Sequence, residues 1–331
     1  MEDARDFSRM RVVAVLACEI CWPPGRRVRK MMNYPLTVRA ALVAAGLASP
    51  SVHADDALDA VLAADRAFAT LAAESGAQGA FLEYLAADSV LFRPGVVNGR
   101  EWLQTHEEAS GRLEWTPALG VMACDRQLAV TIGPWTYRQG TAVARGHYLT
   151  IWRKDSADNW AVVLDHGIDA APGASGAPGA VFAADPVSTG WPLQPELQCG
   201  RDEKGPDLVA AERKLNDAVR SKGLDAALRN IAGRHRISLR DAHAPAAPAA
   251  DWPNDDADVG APLDAVSRGA YAAPASGMGY SYGEVTLAGT GEAPGAARAV
   301  YVRIWTREEG AWRVAIDMLT LLPAAAGAAA N

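Results

Sequence analysis

Residues 64–93, ADRAFATLAAESGAQGAFLEYLAADSVLFR, align without a gap on residues 211–240, AERKLNDAVRSKGLDAALRNIAGRHRISLR. The pairing sets Asp65 on Glu212, Phe68 on Leu215, Gly76 on Gly223, and Val90 and Phe92 on Ile237 and Leu239. A second correspondence closes each stretch: Tyr148-x-x-x-Trp152 then Trp160-x-x-x-x-Asp165 returns as Tyr301-x-x-x-Trp305 then Trp312-x-x-x-x-Asp317. The chain reads as two copies of one domain. Their spacing far exceeds a solenoid repeat, so each copy has to own a core.

The 331 residues give room for two domains of ordinary size. Upstream of the repeat, residues 1–54 read as an extension and secretory signal. Arg26, Arg27, Arg29, Lys30 and Arg39 precede the apolar run 40–48, and Val52-His53-Ala54 supplies a small-residue cleavage site. Translation is expected to start at Met31 or Met32. A rival reading takes Val15-Leu16-Ala17-Cys18 as a lipoprotein box, which leaves the second apolar run in the mature chain. Cleavage after Ala54 predicts a periplasmic or secreted protein. The formal charge is −7, and residues 1–54 hold eight Lys/Arg against four Asp/Glu, so the remainder carries −11. Such acidity argues against a nucleic-acid partner, which needs a basic face. No run reaches the roughly 18 apolar residues of a membrane span. Cys124 and Cys199 survive cleavage, and two readings stay open: a disulfide, or a buried thiol and a free one.

The first domain, 55–170, is expected to hold helices over 57–74, 77–87 and 99–108, the last capped by Asn98, with a short strand at 89–93. Four strands follow at 113–122, 128–139, 146–154 and 160–168. Residues 171–206 form a Gly/Pro/Ala-rich linker, 207–323 a second domain degenerate in its middle, and 324–331 a disordered tail. The fold class is α+β: two tandem cone-shaped domains, each with helices packed on a curved antiparallel sheet.

This order, with the opening Ala-Asp-Arg-x-Phe at 64–68, Leu91-Phe92-Arg93-Pro94-Gly95, Gly133-Pro134-Trp135 and the Tyr/Trp hairpin, resembles the nuclear-transport-factor-2-like superfamily, most closely its SnoaL-like and exported branches. The resemblance covers nearly all of 57–170 and, in the second copy, only its two ends. It implies a fold, while the superfamily mixes isomerases, cyclases, dehydratases and binding modules. Function has to be argued from the pocket.

Alternation along the closing hairpin assigns faces. His147, Leu149 and Ile151 share one face, matched by Val300, Val302 and Ile304; Thr150 shares the other with Arg303. The charge at Arg303 marks its face as outer, so the His147 face is expected to line the pocket. Trp160, Val162, Leu164 and His166 are placed on that inner face too. A four-residue turn would set His147 opposite His166. Asp65 lies on the apolar stripe of the first helix. Candidate catalytic residues are therefore His147, His166 and Asp65, a set whose types and placement resemble the dehydratase branch. The candidate ligand-binding residues are Phe68, Phe92, Leu149, Ile151 and Leu164. Asp165 and Asp317 are read as hairpin or interface acids on the strand face opposite the tryptophans, Arg93 and Arg240 as external, and Trp135 and Tyr137 as core or sheet-edge aromatics. The three candidate catalytic residues lack metal-ligand spacing, and no phosphate loop or nucleophile elbow occurs, so neither metal nor cofactor is expected. The reading is an exported protein binding a small, largely apolar organic ligand in the first domain, with the second packed on it as an internal pseudo-dimer. The alternatives are a proton-transfer lyase or isomerase, and a structural or interaction module.

Overall fold

The computed structural model describes residues 54–107, 111–170, 207–241, 262–272, 276–288 and 297–322. The expected signal, the linker, residues 242–260 in the degenerate middle of the second domain, and the tail lie outside these residues. So does every cysteine but Cys124, which is disulfide-bonded.

The first unit runs α1 (Ala54–Ser75), α2 (Ala77–Tyr84), β1 (Leu85–Phe92), β2 (Val96–Asn98), α3 (Gly99–Thr105), β3 (Arg112–Trp115), β4 (Leu119–Met122), β5 (Leu128–Gln139), β6 (Ala142–Lys154) and β7 (Trp160–Asp169). The second runs α4 (Leu208–Lys222), α5 (Leu224–Ile231), β8 (Ala232–Arg240), β9 (Pro262–Ala272), β10 (Met278–Leu287), β11 (Ala297–Glu308) and β12 (Ala311–Leu321). Each unit opens on two helices divided by an aligned glycine with positive φ, Gly76 at 90° and Gly223 at 86°. An L side chain is strained there. Asn98 caps α3 as expected, its side chain accepting from the Glu101 N–H at 2.9 Å.

The helices of each unit cover one face of a sheet, and the sheet orders are β2-β1-β7-β6-β5-β3, with β4 also on β5, and β8-β12-β11-β10-β9. The sheets are mixed, since β1 runs parallel to β7 and β8 parallel to β12. The strand expected over 113–122 is two short ones. Residues 242–260, where decay of the second unit was expected, lie outside the described residues, and β9 and β10 pair after them.

The other faces of the two sheets meet. Phe92, Ile132, Leu149, Ile151 and Leu164 share one apolar core with Ile237, Tyr280, Val302, Ile304 and Met318. Each helical layer keeps its own core, around Phe68 and Trp152 in the first unit and around Leu215 and Trp305 in the second. Further ties cross the sheet interface: the Cys124 N–H donates to the Ser276 carbonyl at 2.8 Å, and the Arg153 guanidinium lies 5.6 Å from the Tyr271 ring centre.

Gly146, in the middle of the first sheet, is needed for close approach. A Cβ there would lie 1.8 Å from the Ile168 carbonyl oxygen and 2.5 Å from the Trp135 ring. Neither can yield, because the Trp135 indole N–H is held by the His147 and Ile168 carbonyls at 3.1 and 3.2 Å. Gly146→Ala is expected to cost about 1–3 kcal/mol, read as a lowered midpoint of thermal unfolding.

Candidate functional site

The expected pocket face is the interface between the sheets. The β6–β7 hairpin turns at residues 155–159, with Lys154 opposite Trp160, and a bulge follows between Ile151 and Trp152. Together these move the register so that Leu149 faces His166 and His147 faces Ile168. A bulge also flips the face of the residues beyond it: Trp160 and Val162 stay with the helix-side core, whereas Leu164 and His166 join the core between the sheets. The second hairpin carries the same bulge between Ile304 and Trp305 and a two-residue turn, Glu309-Gly310.

His147 and His166 thus lie on one face, but Asp65 lies across the sheet from them. His166 Nε2 is 2.7 Å from the Thr320 hydroxyl of the second unit, and its ring centre is 4.3 Å from that of Phe92. Burial holds both imidazoles neutral, His147 lowered to about 4 and His166 to about 3, the latter also by the charge of Arg93. Phe92, Leu149, Ile151 and Leu164 serve the sheet interface, and of the expected ligand-binding residues only Phe68 faces the helices.

The helix side of the first sheet holds the polar residues that alternation had placed outside. Asp65, on α1, is fully buried and accepts from the Trp115 indole N–H at 2.7 Å and the Tyr148 hydroxyl at 2.8 Å. Its carboxyl is raised by burial, against the lowering effect of the Thr131, Trp115 and Tyr148 donors. Thr150, opposite Asp165 on β7, donates to its carboxylate at 2.6 Å. Asp165 keeps part of its surface in contact with solvent, yet burial pushes its carboxyl up to about 6, with Thr150 and Arg93 opposing and the charge of Asp65 assisting. Arg93 reaches this region from the end of β1. It donates to the Phe92 carbonyl at 2.8 Å, lies 5.5 Å from the Trp102 ring centre, and is lowered to about 10 by burial against the pull of Asp165.

The second unit builds the same knot and closes it with one more side chain. Glu212 accepts from the Tyr301 hydroxyl at 2.6 Å and the Ser281 hydroxyl at 2.7 Å. Trp305 donates to Ser281 at 2.8 Å, as Trp152 does to Thr131 at 2.9 Å. Where the first unit has Thr150, Arg303 lies fully buried. Its guanidinium donates to Glu212 and Asp317 at 3.1 Å each and to Asn216 at 2.9 Å, while Arg240 pairs with Asp317 at 2.5 Å. Desolvation opposes charge on Arg303, but the two carboxylates outweigh it and hold its pKa above the ordinary value.

Site residues missed from the sequence are Tyr148, Thr150, Asp165, Arg93 and Trp115. One signal was available: acids and arginines that recur at the same positions in both copies, on the same face, read as paired buried charges. Open clefts also occur elsewhere, about 1000 Å³ beside Tyr84, Asp88 and Arg153 and about 560 Å³ beside Lys214 and Trp312. Neither includes the acid pair. Among the described residues no group of His, Cys, Asp and Glu is arranged to hold a metal ion, and no helix is long and apolar enough to cross a membrane.

No protein-family model matches the chain, and no curated protein matches it in sequence. Among solved structures it is similar to an NTF-2 like protein of unknown function from Shewanella oneidensis MR-1, with 20% identity over 33% of this chain and 96% of that one, at a TM-score of 0.29. It is similar to an NTF2-like protein from Cytophaga hutchinsonii ATCC 33406, with 14% identity over 34% and 94% of the two chains, TM-score 0.28. It is also similar to the Δ5-3-ketosteroid isomerase of Mycobacterium sp., with 16% identity over 32% and 90%, TM-score 0.26.

Proposed function

We propose that this is an exported small-molecule-binding protein whose first unit takes an organic ligand between α1 and the sheet, the second unit serving as its scaffold. One observation carries the reading. At three positions equivalent in the two units, the first has the smaller residue: Asp65 for Glu212, Ala69 for Asn216 and Thr150 for Arg303. Ala69 is partly open to solvent where Asn216 is buried. The side chains at these three positions are shorter in the first unit than in the second, and they lie beside the aromatic side chains Phe68, Trp115 and Trp152. Such a lining suits a largely apolar body with a few polar anchors. Enlarging a side chain of that lining is the test. Ala69→Leu is expected to abolish binding of small organic fragments, followed by ligand-observed NMR, while the fold persists; unchanged binding would move the site elsewhere.

Export is supported by the disulfide at Cys124, a bond that persists in oxidising compartments. Mass spectrometry of the protein from its native host is expected to find Asp55 at the mature N-terminus. A chain that keeps Tyr34 in the cytoplasm would contradict export.

A second reading, proton transfer in a lyase or isomerase, is favoured by one feature: a carboxyl that titrates near 6 at Asp165, with partial solvent access. The acid and base would then be Asp165 and Asp65, since the histidines lie across the sheet. A rate profile with an inflection near pH 6 that vanishes in Asp165→Asn would establish it.

A further inference from the structure

We infer that the ligand of the first unit carries a guanidinium-type cation, seated between Asp65 and Asp165 as the Arg303 guanidinium sits between Glu212 and Asp317. The inference rests on the small-molecule reading of this site and adds its chemical class. The second unit shows what the constellation holds when it is complete. There the two carboxylates, Glu212 and Asp317, face two buried guanidinium groups, Arg303 and Arg240, and the charges cancel. The first unit keeps both acids as Asp65 and Asp165 and keeps one arginine as Arg93. It replaces the other with Thr150.

One positive charge is therefore missing from an enclosed site. Buried charges demand partners. Among the described residues no cation lies within ion-pairing distance of Asp65 or Asp165, because Arg93 leans on Trp102 instead. The remaining elements of the Arg303 seat are present. The Arg303 guanidinium carbon lies 4.0 Å from the Tyr301 ring centre, and Tyr148 supplies the equivalent ring. A planar cation on that ring gains the attraction of the π face. Carboxylates on two elements, α1 and β7, offer acceptors of the kind that Arg303 uses on α4 and β12. With Ala69 in place of Asn216 a third acceptor is gone, and a short apolar side chain stands where the body of the ligand would pass.

The test compares butylguanidinium with butylurea, its neutral analogue of nearly the same shape, by ligand-observed NMR titration of the full chain. Butylguanidinium is expected to bind at least tenfold more tightly. Thr150→Arg, which installs the side chain of the second unit, should lose that binding at least tenfold and raise the unfolding temperature. Asp165→Asn should lose it too without adding bulk, so the test does not depend on either variant alone. Equal binding of the two probes would overturn the cation and leave the small-molecule reading standing. Binding of neither would overturn both. Binding of butylguanidinium unchanged in both variants would place the cation elsewhere and overturn the inference.

Discussion

Replacing Arg303 with methionine is expected to destabilise the protein by about 3–5 kcal/mol, the scale for breaking a buried ion pair on one side. The side chain is fully buried and touches Glu212 and Asp317, each only 1% exposed. Its removal leaves Glu212 among the neutral donors Ser281 and Tyr301 and takes one of the guanidinium partners from Asp317. The loss should be read from urea unfolding, because guanidinium could occupy the vacated seat. Millimolar guanidinium, far below denaturing concentration, should return part of the stability. Adding Glu212→Gln should recover part of it as well, since the stranded charge goes with it. A loss below about 1 kcal/mol would mean that Arg303 is not the closing element of the second unit.

Mild acid is expected to destabilise the protein through His147 and His166, the latter bonded to Thr320 of the second unit. Their folded-state values, about 4 and about 3, lie below the ordinary 6.5. The unfolded chain therefore takes up protons first as pH falls. Their contribution is intact above pH 6.5 and is lost progressively below it, until the folded values are reached. At pH 5 the loss is about 2 kcal/mol for each histidine, at 1.36 kcal/mol per unit. Asp165 works in the opposite sense between about 6 and 3.8, and Asp65 shares its direction, since their folded forms bind protons first. The double variant His147→Val, His166→Met, with the residues of the second unit at those positions, separates the effects. It should remove the histidine slope, keep that of the carboxylates and leave the fold intact. A stability that falls as steeply between pH 7 and 5 in the double variant would contradict this.

The repeat was legible because it recurs in spacing as well as in residue type: the aligned glycines divide helices in both units, and each Tyr/Trp motif lies on a closing hairpin. The faces were not legible, for a physical reason. Alternation separates inside from outside only where a sheet has a wet face. Here residues 146–152 of β6 and 299–306 of β11 are buried on both sides, one against helices and one against the other sheet. The arginine at 303 then signals a buried ion pair, and the apolar stripe through Leu149 signals the sheet interface. The bulges in β7 and β12 were equally hidden, since one extra residue leaves no mark in composition. What did carry through is Asp65 with Phe68, correctly placed on the buried stripe of α1.

Titration of the Asp165 carboxyl carbon by NMR, with and without butylguanidinium, decides whether the first unit seats a cation. Without a cation, the midpoint is expected at about 6, because burial disfavours the ionised form. A guanidinium seated between Asp65 and Asp165 should draw the midpoint down by a unit or more, roughly the effect of an opposite charge within reach. A midpoint that starts near the ordinary 3.8, or one that starts at about 6 and does not move when the probe is added, would contradict the cation seat.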